Sequence, residues 1–213
     1  MIQENHPSLE IITIEQENSP AILKVRSELV SFPLSTETLT LINAMKNKLY
    51  QLEGVGLAAP QVKENKQIIA IYIPEDAALL RDNVKPYPMH ILINPRYEKV
   101  ADSTWVDDFE GCYSVASRAG KVPRYQTIKL TYQDEQGNTL QQVESGFYAR
   151  VLQHEIDHLN GILIIDRLTP DCVQGSIEEM MVIRRNQLPT DKKALFDKLI
   201  SKKFRHPSHN EQQ

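Results

Sequence analysis

The segment Gln153-His-Glu-Ile-Asp-His158 constrains this chain more than any other. Residues four apart share one face of an α-helix, so His154 and His158 are placed to grip a single metal ion while Glu155 points at the same cavity. The segment also carries an apolar stripe. Phe147, Val151, His154 and His158 recur at helical spacing between Ser145 or Gly146 and Asn160, and Gly161 is the residue expected just past the helix end. Asp157 is read as facing solvent, or as orienting an imidazole or a neighbouring backbone group.

The flanking segments show what surrounds this helix. From Thr36 to about Leu52, residues Leu39, Ile42, Met45, Leu49 and Leu52 form a second helical stripe, with Ser35 as N-cap and Gly54 past the end. Strand-rich runs follow at 67–73 and at His90 to Asn94, the latter closed by Pro95. Gln126 to Tyr132 alternates, and Gln133-Asp-Glu-Gln-Gly-Asn138 is turn material leading into Thr139 to Val143, which predicts a β-hairpin. Strands therefore flank a central helix, and the class is α+β. The expected organisation is an N-terminal arm at 1–20, a main domain at 21–170, and a helical extension with a polar, basic tail at 171–213. Within the arm, Ile11 to Ile14 reads as a loose segment or an added edge strand.

Composition narrows the function classes. With 41% hydrophobic and 24% charged residues the chain has material for a packed core, and a net charge of -4 argues against nucleic-acid binding without sequence choice, with no specific DNA partner expected. The apolar runs stop well short of the roughly 20 residues of a bilayer span. The polar, acidic start Met-Ile-Gln-Glu-Asn-His lacks the pattern of a targeting peptide, so the expectation is a cytoplasmic protein with no membrane partner. In a reducing compartment, Cys112 and Cys172 point to metal or catalytic use rather than a disulfide framework.

A catalytic metal site needs a third protein ligand. Two residues compete. Glu178 lies 20 residues beyond His158, a distance at which thermolysin-like metalloproteases supply a glutamate, although its context Ser176-Ile-Glu-Glu-Met-Met181 also reads as a surface helix. Cys112, in Glu110-Gly-Cys-Tyr-Ser114, offers a thiolate beside a glycine that lets backbone come close. Composition leaves the two nearly balanced. A third motif, Gly54-Val-Gly-Leu-Ala-Ala-Pro-Gln61, is preceded by a helix and broken by Pro60, which speaks against a dinucleotide fingerprint. Its glycines suit a strand edge that an extended peptide approaches, and Gln61 offers an amide donor for a developing oxyanion.

Taken together and in this order, Gly54-Val-Gly-Leu-Ala-Ala-Pro-Gln61, Glu110-Gly-Cys-Tyr-Ser114 and Gln153-His-Glu-Ile-Asp-His158 resemble the three signature motifs of the peptide deformylases. The resemblance implies an α+β fold with antiparallel strands packed around a central metal-binding helix. It implies removal of the N-formyl group from the initiator methionine of nascent chains, with formate released and formyl-methionyl peptides as partners. It makes Cys112, His154 and His158 the metal ligands and Glu155 the general base and acid. Gln61 and the backbone N–H of Tyr113 become the oxyanion donors. The implied cofactor is one divalent ion, Fe(II) in the cell, with Zn(II), Ni(II) or Co(II) acceptable in purified protein. Substrate backbone is expected to pair near Val55, Gly56 and Gly111, and the methionine side chain to enter an apolar pocket for which Phe147, Val151 and Tyr113 are candidates.

Several positions depart from the commonest bacterial pattern. Tyr113 stands where leucine is usual, the continuation reads Ser114-Val-Ala-Ser-Arg118, with its arginine one position early, and Ala149-Arg150 precedes the histidine motif. Ser19-Pro-Ala-Ile-Leu-Lys24 echoes only part of the usual N-terminal stretch. The tail carries Lys192, Lys193, Lys198, Lys202, Lys203 and Arg205, a solvated face or, by the same resemblance, a weak ribosome contact. Two other functions compete: an endopeptidase with Glu178 as ligand, and a metal-retaining module that binds peptide termini without turnover.

Overall fold

The computed structural model describes residues 9–17, 21–79, 81 and 84–204. Residues 1–8 and 18–20 of the expected arm and 205–213 of the tail lie outside them.

The first helix, α1 (Thr36–Gln51), starts where Ser35 accepts the Thr38 N–H at 3.2 Å. Its inner face is Leu41, Ile42, Met45 and Leu49, and Leu39 is turned outward at 42% exposure, so the stripe is rotated from the one expected. Helix termination also differs. The left-handed residue is Glu53 (φ 49°), one before Gly54.

Eight strands are found among the described residues. Strands β1 (Gly56–Ala58), β2 (Ile68–Ile73), β3 (Tyr87–Lys99), β6 (Thr127–Gln133) and β7 (Thr139–Ser145) form one antiparallel sheet in the order β1-β2-β3-β6-β7. Strands β4 (Trp105–Cys112), β5 (Val115–Tyr125) and β8 (Gln174–Gly175) form a second antiparallel sheet. Between them runs α2 (Gly146–Leu159). The strand β3 does not stop at Pro95. Its register shifts between Ile93 and Arg96, Asn94 takes φ 51°, and the Asn94 side chain exchanges two 2.9 Å hydrogen bonds with the Val30 backbone. A bulge therefore absorbs the proline and the strand continues.

The β2 sequence Ile-Ile-Ala-Ile-Tyr-Ile is almost continuously buried because helices cover both faces of its sheet. Ile68 and Ala70 pack on Ile42, Met45 and Leu49 of α1. Ile69, Ile71 and Ile73 pack on Leu152, Ile156 and Leu159 of α2. The other side of α2 meets the second sheet, where Gln153 bridges the Tyr125 backbone with its amide oxygen and nitrogen at 3.0 and 2.8 Å. This is the expected α+β arrangement of antiparallel strands around a central helix. At its end Gly161 takes φ 72°, and a Cβ there would lie 2.6 Å from the Lys24 carbonyl carbon.

The Ile11 to Ile14 segment runs extended across the two signature turns. Ile12 N–H donates to Gln61 O and Ile14 N–H to Ser114 O, each at 2.9 Å. After the short α3 (Ile164–Arg167), the C-terminal part forms α4 (Ile177–Gln187) and α5 (Thr190–Phe204), joined by an Arg185–Asp197 ion pair. Among the described residues no helix is long and apolar enough to cross a membrane.

Candidate metal centre

Helix α2 presents His154, Glu155 and His158 to one cavity, and the end of β4 brings Cys112 to meet them. The three ligand atoms of Cys112, His154 and His158 lie within 4.8 Å of one another, with Cys112 Sγ 3.3 Å from His158 Nε2. His154 Nδ1 is 2.9 Å from Glu110 Oε2, which fixes the ring and leaves Nε2 for the cavity. Glu178, the rival ligand, is exposed on α4 and is not in this group. Cys172 also lies apart, as a free, half-buried thiol.

The donor set of one sulfur and two imidazole nitrogens suits a tetrahedral or near-tetrahedral divalent ion with one position left open. Glu155 Oε2 supports the same fit, because it is buried beside the ligands with no protein partner, as expected of a group that serves a small polar molecule. Burial pushes the Glu155 carboxyl up to about 7, with His154 opposing. Gly56 makes room for it. A Cβ at that position would lie 2.3 Å from Glu155 Oε1, so any side chain there displaces the carboxylate.

The two imidazoles differ in character. Burial would lower His154, but hydrogen bonds to Cys112 and Glu110 outweigh it and hold the ring well above its ordinary value. His158 is held well below by burial and by the nearby His154 charge. Glu110 itself is buried, which alone would raise it. The hydrogen bond from His154 and the charge of Arg124 hold it well below the usual carboxylate range instead.

Gln61 is oriented from both ends of its amide. Its Oε1 accepts the Ala58 N–H at 2.9 Å, and its Nε2 donates to Ser114 Oγ at 3.2 Å while lying 3.8 Å from Cys112 Sγ. The Tyr113 ring runs back to the first motif, with its hydroxyl donating to Leu52 O at 3.1 Å. Gly54 is needed for that approach, since a Cβ there would lie 2.8 Å from the Tyr113 hydroxyl. A Cβ at Gly111 meets nothing within 4 Å, so protein packing does not require this glycine. The β1 strand, carrying Gly56, is the outer strand of its sheet, and the Val55 carbonyl is taken by the Tyr72 N–H at 3.0 Å. Phe147 lines a cavity of about 340 Å³. Val151 does not line it; this side chain is buried in the core between α2 and the larger sheet.

Asp157 is buried, not solvent-facing, and its partners are guanidinium groups: Arg124 and Arg167 both donate to it. Arg124 also holds Glu110 through two hydrogen bonds of 3.0 and 2.9 Å, and Arg150 holds it through one of 2.7 Å. Sequence reasoning assigned these arginines no role. A signal existed, because Arg124 stands two residues after the fully buried Val122 on β5 and so shares its inward face. An inward guanidinium needs a buried acid.

The sequence model of the polypeptide deformylase family matches residues 9–174. The chain belongs to the peptide deformylase family. Peptide deformylase 2 of Rickettsia conorii is 36% identical over 185 residues, covering 85% of this chain and 90% of that protein. The human mitochondrial peptide deformylase is 35% identical, covering 67% and 60%. Among solved structures, the Met-Ala-Ser-bound class I type b peptide deformylase of Acinetobacter baumannii superposes with a TM-score of 0.65 at 30% identity, covering 76% of this chain and 99% of its own. The Synechococcus elongatus peptide deformylase in complex with actinonin gives 0.64 at 33% identity, covering 78% and 83%. The family consists of metal-dependent hydrolases, and all three signature motifs of this chain fall inside the matched segment.

The close approach at Gly56 yields a direct test. Gly56→Ala should lower kcat by about 100-fold or more while bound metal stays near one equivalent, because the new methyl displaces Glu155 and not the ligands. Steady-state kinetics with metal analysis checks this, and unchanged kcat contradicts the placement.

Proposed function

We propose that this chain is a peptide deformylase that hydrolyses the N-formyl group from the N-terminal formylmethionine of nascent proteins and releases formate. The observation that carries the reading is the convergence of Cys112, His154 and His158 beside a buried, partnerless Glu155 oxygen, on a chain whose family match spans all four residues.

A divalent ion held by Cys112, His154 and His158 would polarise the formyl carbonyl and lower the pKa of its bound water to about 7. Glu155 accepts the proton of the attacking water at its carboxylate and later delivers it to the nitrogen of the departing peptide. Its burial raises the proton affinity of the carboxyl, which suits a group that takes up a proton and gives it back. Gln61 Nε2 and the Tyr113 N–H donate to the charge that develops on the formyl oxygen, a contribution of about 3 to 4 kcal/mol for one such donor. Glu110 keeps His154 in one orientation throughout. With the Val55 carbonyl taken by Tyr72, the outer edge of β1 at Gly56 and the open space at Gly111 would give an extended peptide its backbone partners.

Fe(II) is the proposed ion in the cell, with Zn(II), Ni(II) or Co(II) taken up by the same donors in purified protein. The proposed location is the cytoplasm, where formyl-methionyl chains emerge. The basic residues of α5, Lys192, Lys193 and Lys198, are proposed as a transient ribosome contact. A chain ending at residue 190 should then lose salt-sensitive ribosome binding, and binding that survives the deletion removes that contact from the account.

The chemical roles separate in two variants. Glu155→Ala should keep its metal and lose formate release by about 10² to 10⁴-fold, whereas Cys112→Ser should lose the metal itself. Formate assays on a formyl-Met peptide, paired with metal analysis, decide this; a Cys112→Ser protein with full metal and full activity would contradict the ligand set.

A further inference from the structure

The cavity of about 340 Å³ lies beside the amino-terminal half of α2 and is not the apolar pocket expected for a methionine side chain. Phe147 and Arg150 of α2, Asp108 and Phe109 of β4, and Arg81 and Arg184 face it. Glu110 links it to the candidate metal centre. Phe147 stands seven residues, roughly 10 Å of helix, before His154. Arg150 donates to Glu110 Oε1 at 2.7 Å while His154 meets the other oxygen of the same carboxylate.

Among the described residues, three guanidinium groups line this cavity with one carboxylate, Asp108. Arg150 donates to Glu110, which Arg124 also holds, and to the Val122 carbonyl at 2.7 Å. Arg81 is matched by Asp108 and donates to Phe109 O at 3.1 Å. Arg184 lies against two aromatic rings, 6.0 Å from the Phe109 centroid and 5.8 Å from that of Phe196, and the nearest opposite charge, Asp108, is already engaged by Arg81. Burial and then the Arg81 charge lower Arg184 to about 10, with Asp108 opposing, so it is still a cation at neutral pH. Among the described residues, Arg184 is therefore a cation of this cavity with no carboxylate of its own. That charge comes from α4, beyond residue 174 where the family match ends, so it is supplied by this chain's own C-terminal segment.

We propose that this cavity is a carboxylate-recognising subsite of the formyl-peptide site, with Arg184 as the residue that determines specificity. Its ligand is a peptide carboxylate, carried either by a side chain after the formylmethionine or by the C-terminus of a short formylated peptide. This rests on the deformylase reading above. A guanidinium fork pairs two donors with one carboxylate, and the rings of Phe109 and Phe147 accept the methylene groups that carry it. The volume lies at the small end of the roughly 300 to 1,000 Å³ usual for ligand pockets, enough for one side chain or peptide end.

The test compares isosteric pairs on the full-length, metal-loaded protein. Formyl-Met-Glu-Ser amide against formyl-Met-Gln-Ser amide reads a side-chain carboxylate, and formyl-Met-Ala-Ser acid against its amide reads a terminal one. The proposal expects a kcat/KM ratio of about tenfold or more for the acid member of one pair. That ratio should fall to near one in Arg184→Gln and be partly kept in Arg184→Lys, with circular dichroism melting used to confirm that each variant is folded. Calorimetry with the unformylated peptides gives an independent readout. Acid-selective binding that depends on Arg184 without any formate release would support the subsite and overturn the deformylase reading. Formate release with no acid preference in either pair, or a preference unchanged in Arg184→Gln, would overturn the subsite and leave the reaction in place.

Discussion

One buried carboxylate holds the site together. Glu110 on β4 meets Arg124 from β5 and both Arg150 and His154 from α2, so the smaller sheet and the central helix are fastened through a single side chain. Arg124 extends the set to Asp157, and Asp157 to Arg167 of α3. Charges this deep cost several kcal/mol each to take from water, and their mutual pairing recovers that cost only while every partner is in place. Loss of one partner from such a set typically costs about 3 to 5 kcal/mol, since an uncompensated charge is left inside. The arrangement is thus a strict one. It fixes which imidazole nitrogen of His154 faces the cavity and how far Cys112, two residues after Glu110, stands from the helix.

The remaining parts of the site hang on that fastening. Cys112 sits where the β4–β5 register shifts between Glu110 and Cys112, so the strand end turns toward α2. Gln61 is held against Ser114, and the N-terminal segment bonds to both Gln61 and Ser114 through Ile12 and Ile14. Gly56 and Gly54 have no side chain because Glu155 and Tyr113 occupy that space. The site has little slack on the ligand side, while the space beside Gly111 is open.

Much of this was legible in the sequence because local and global signals agreed. The α2 pattern combined an apolar stripe with metal-ligand spacing, and the β6–β7 hairpin had both alternation and turn residues. The three motifs, read through the family they resemble, named the ligand set that the fold brings within 4.8 Å. What stayed hidden depended on partners distant in the chain. Strand β4, with Asp107, Asp108 and Glu110, does not look apolar, because its inward acid is neutralised by arginines 14 and 40 residues away. Pro95 looked like a strand end because the Asn94 bulge that accommodates it depends on Val30. Asp157 looked solvated because neither Arg124 nor Arg167 announces its direction. The charge lining the cavity near Phe147 was equally out of reach, since Arg81 and Arg184 come from segments outside every motif.

The central claim is that one ion is held by one thiolate and two imidazoles, with Glu155 beside it but not bound to it. X-ray absorption spectroscopy of the zinc-loaded protein tests this most directly. The account predicts one sulfur at about 2.3 Å and two imidazole nitrogens at about 2.0 to 2.1 Å, with the remaining position filled by a light atom. A shell of nitrogen and oxygen only, or a sulfur signal that persists in Cys112→Ser, would contradict it.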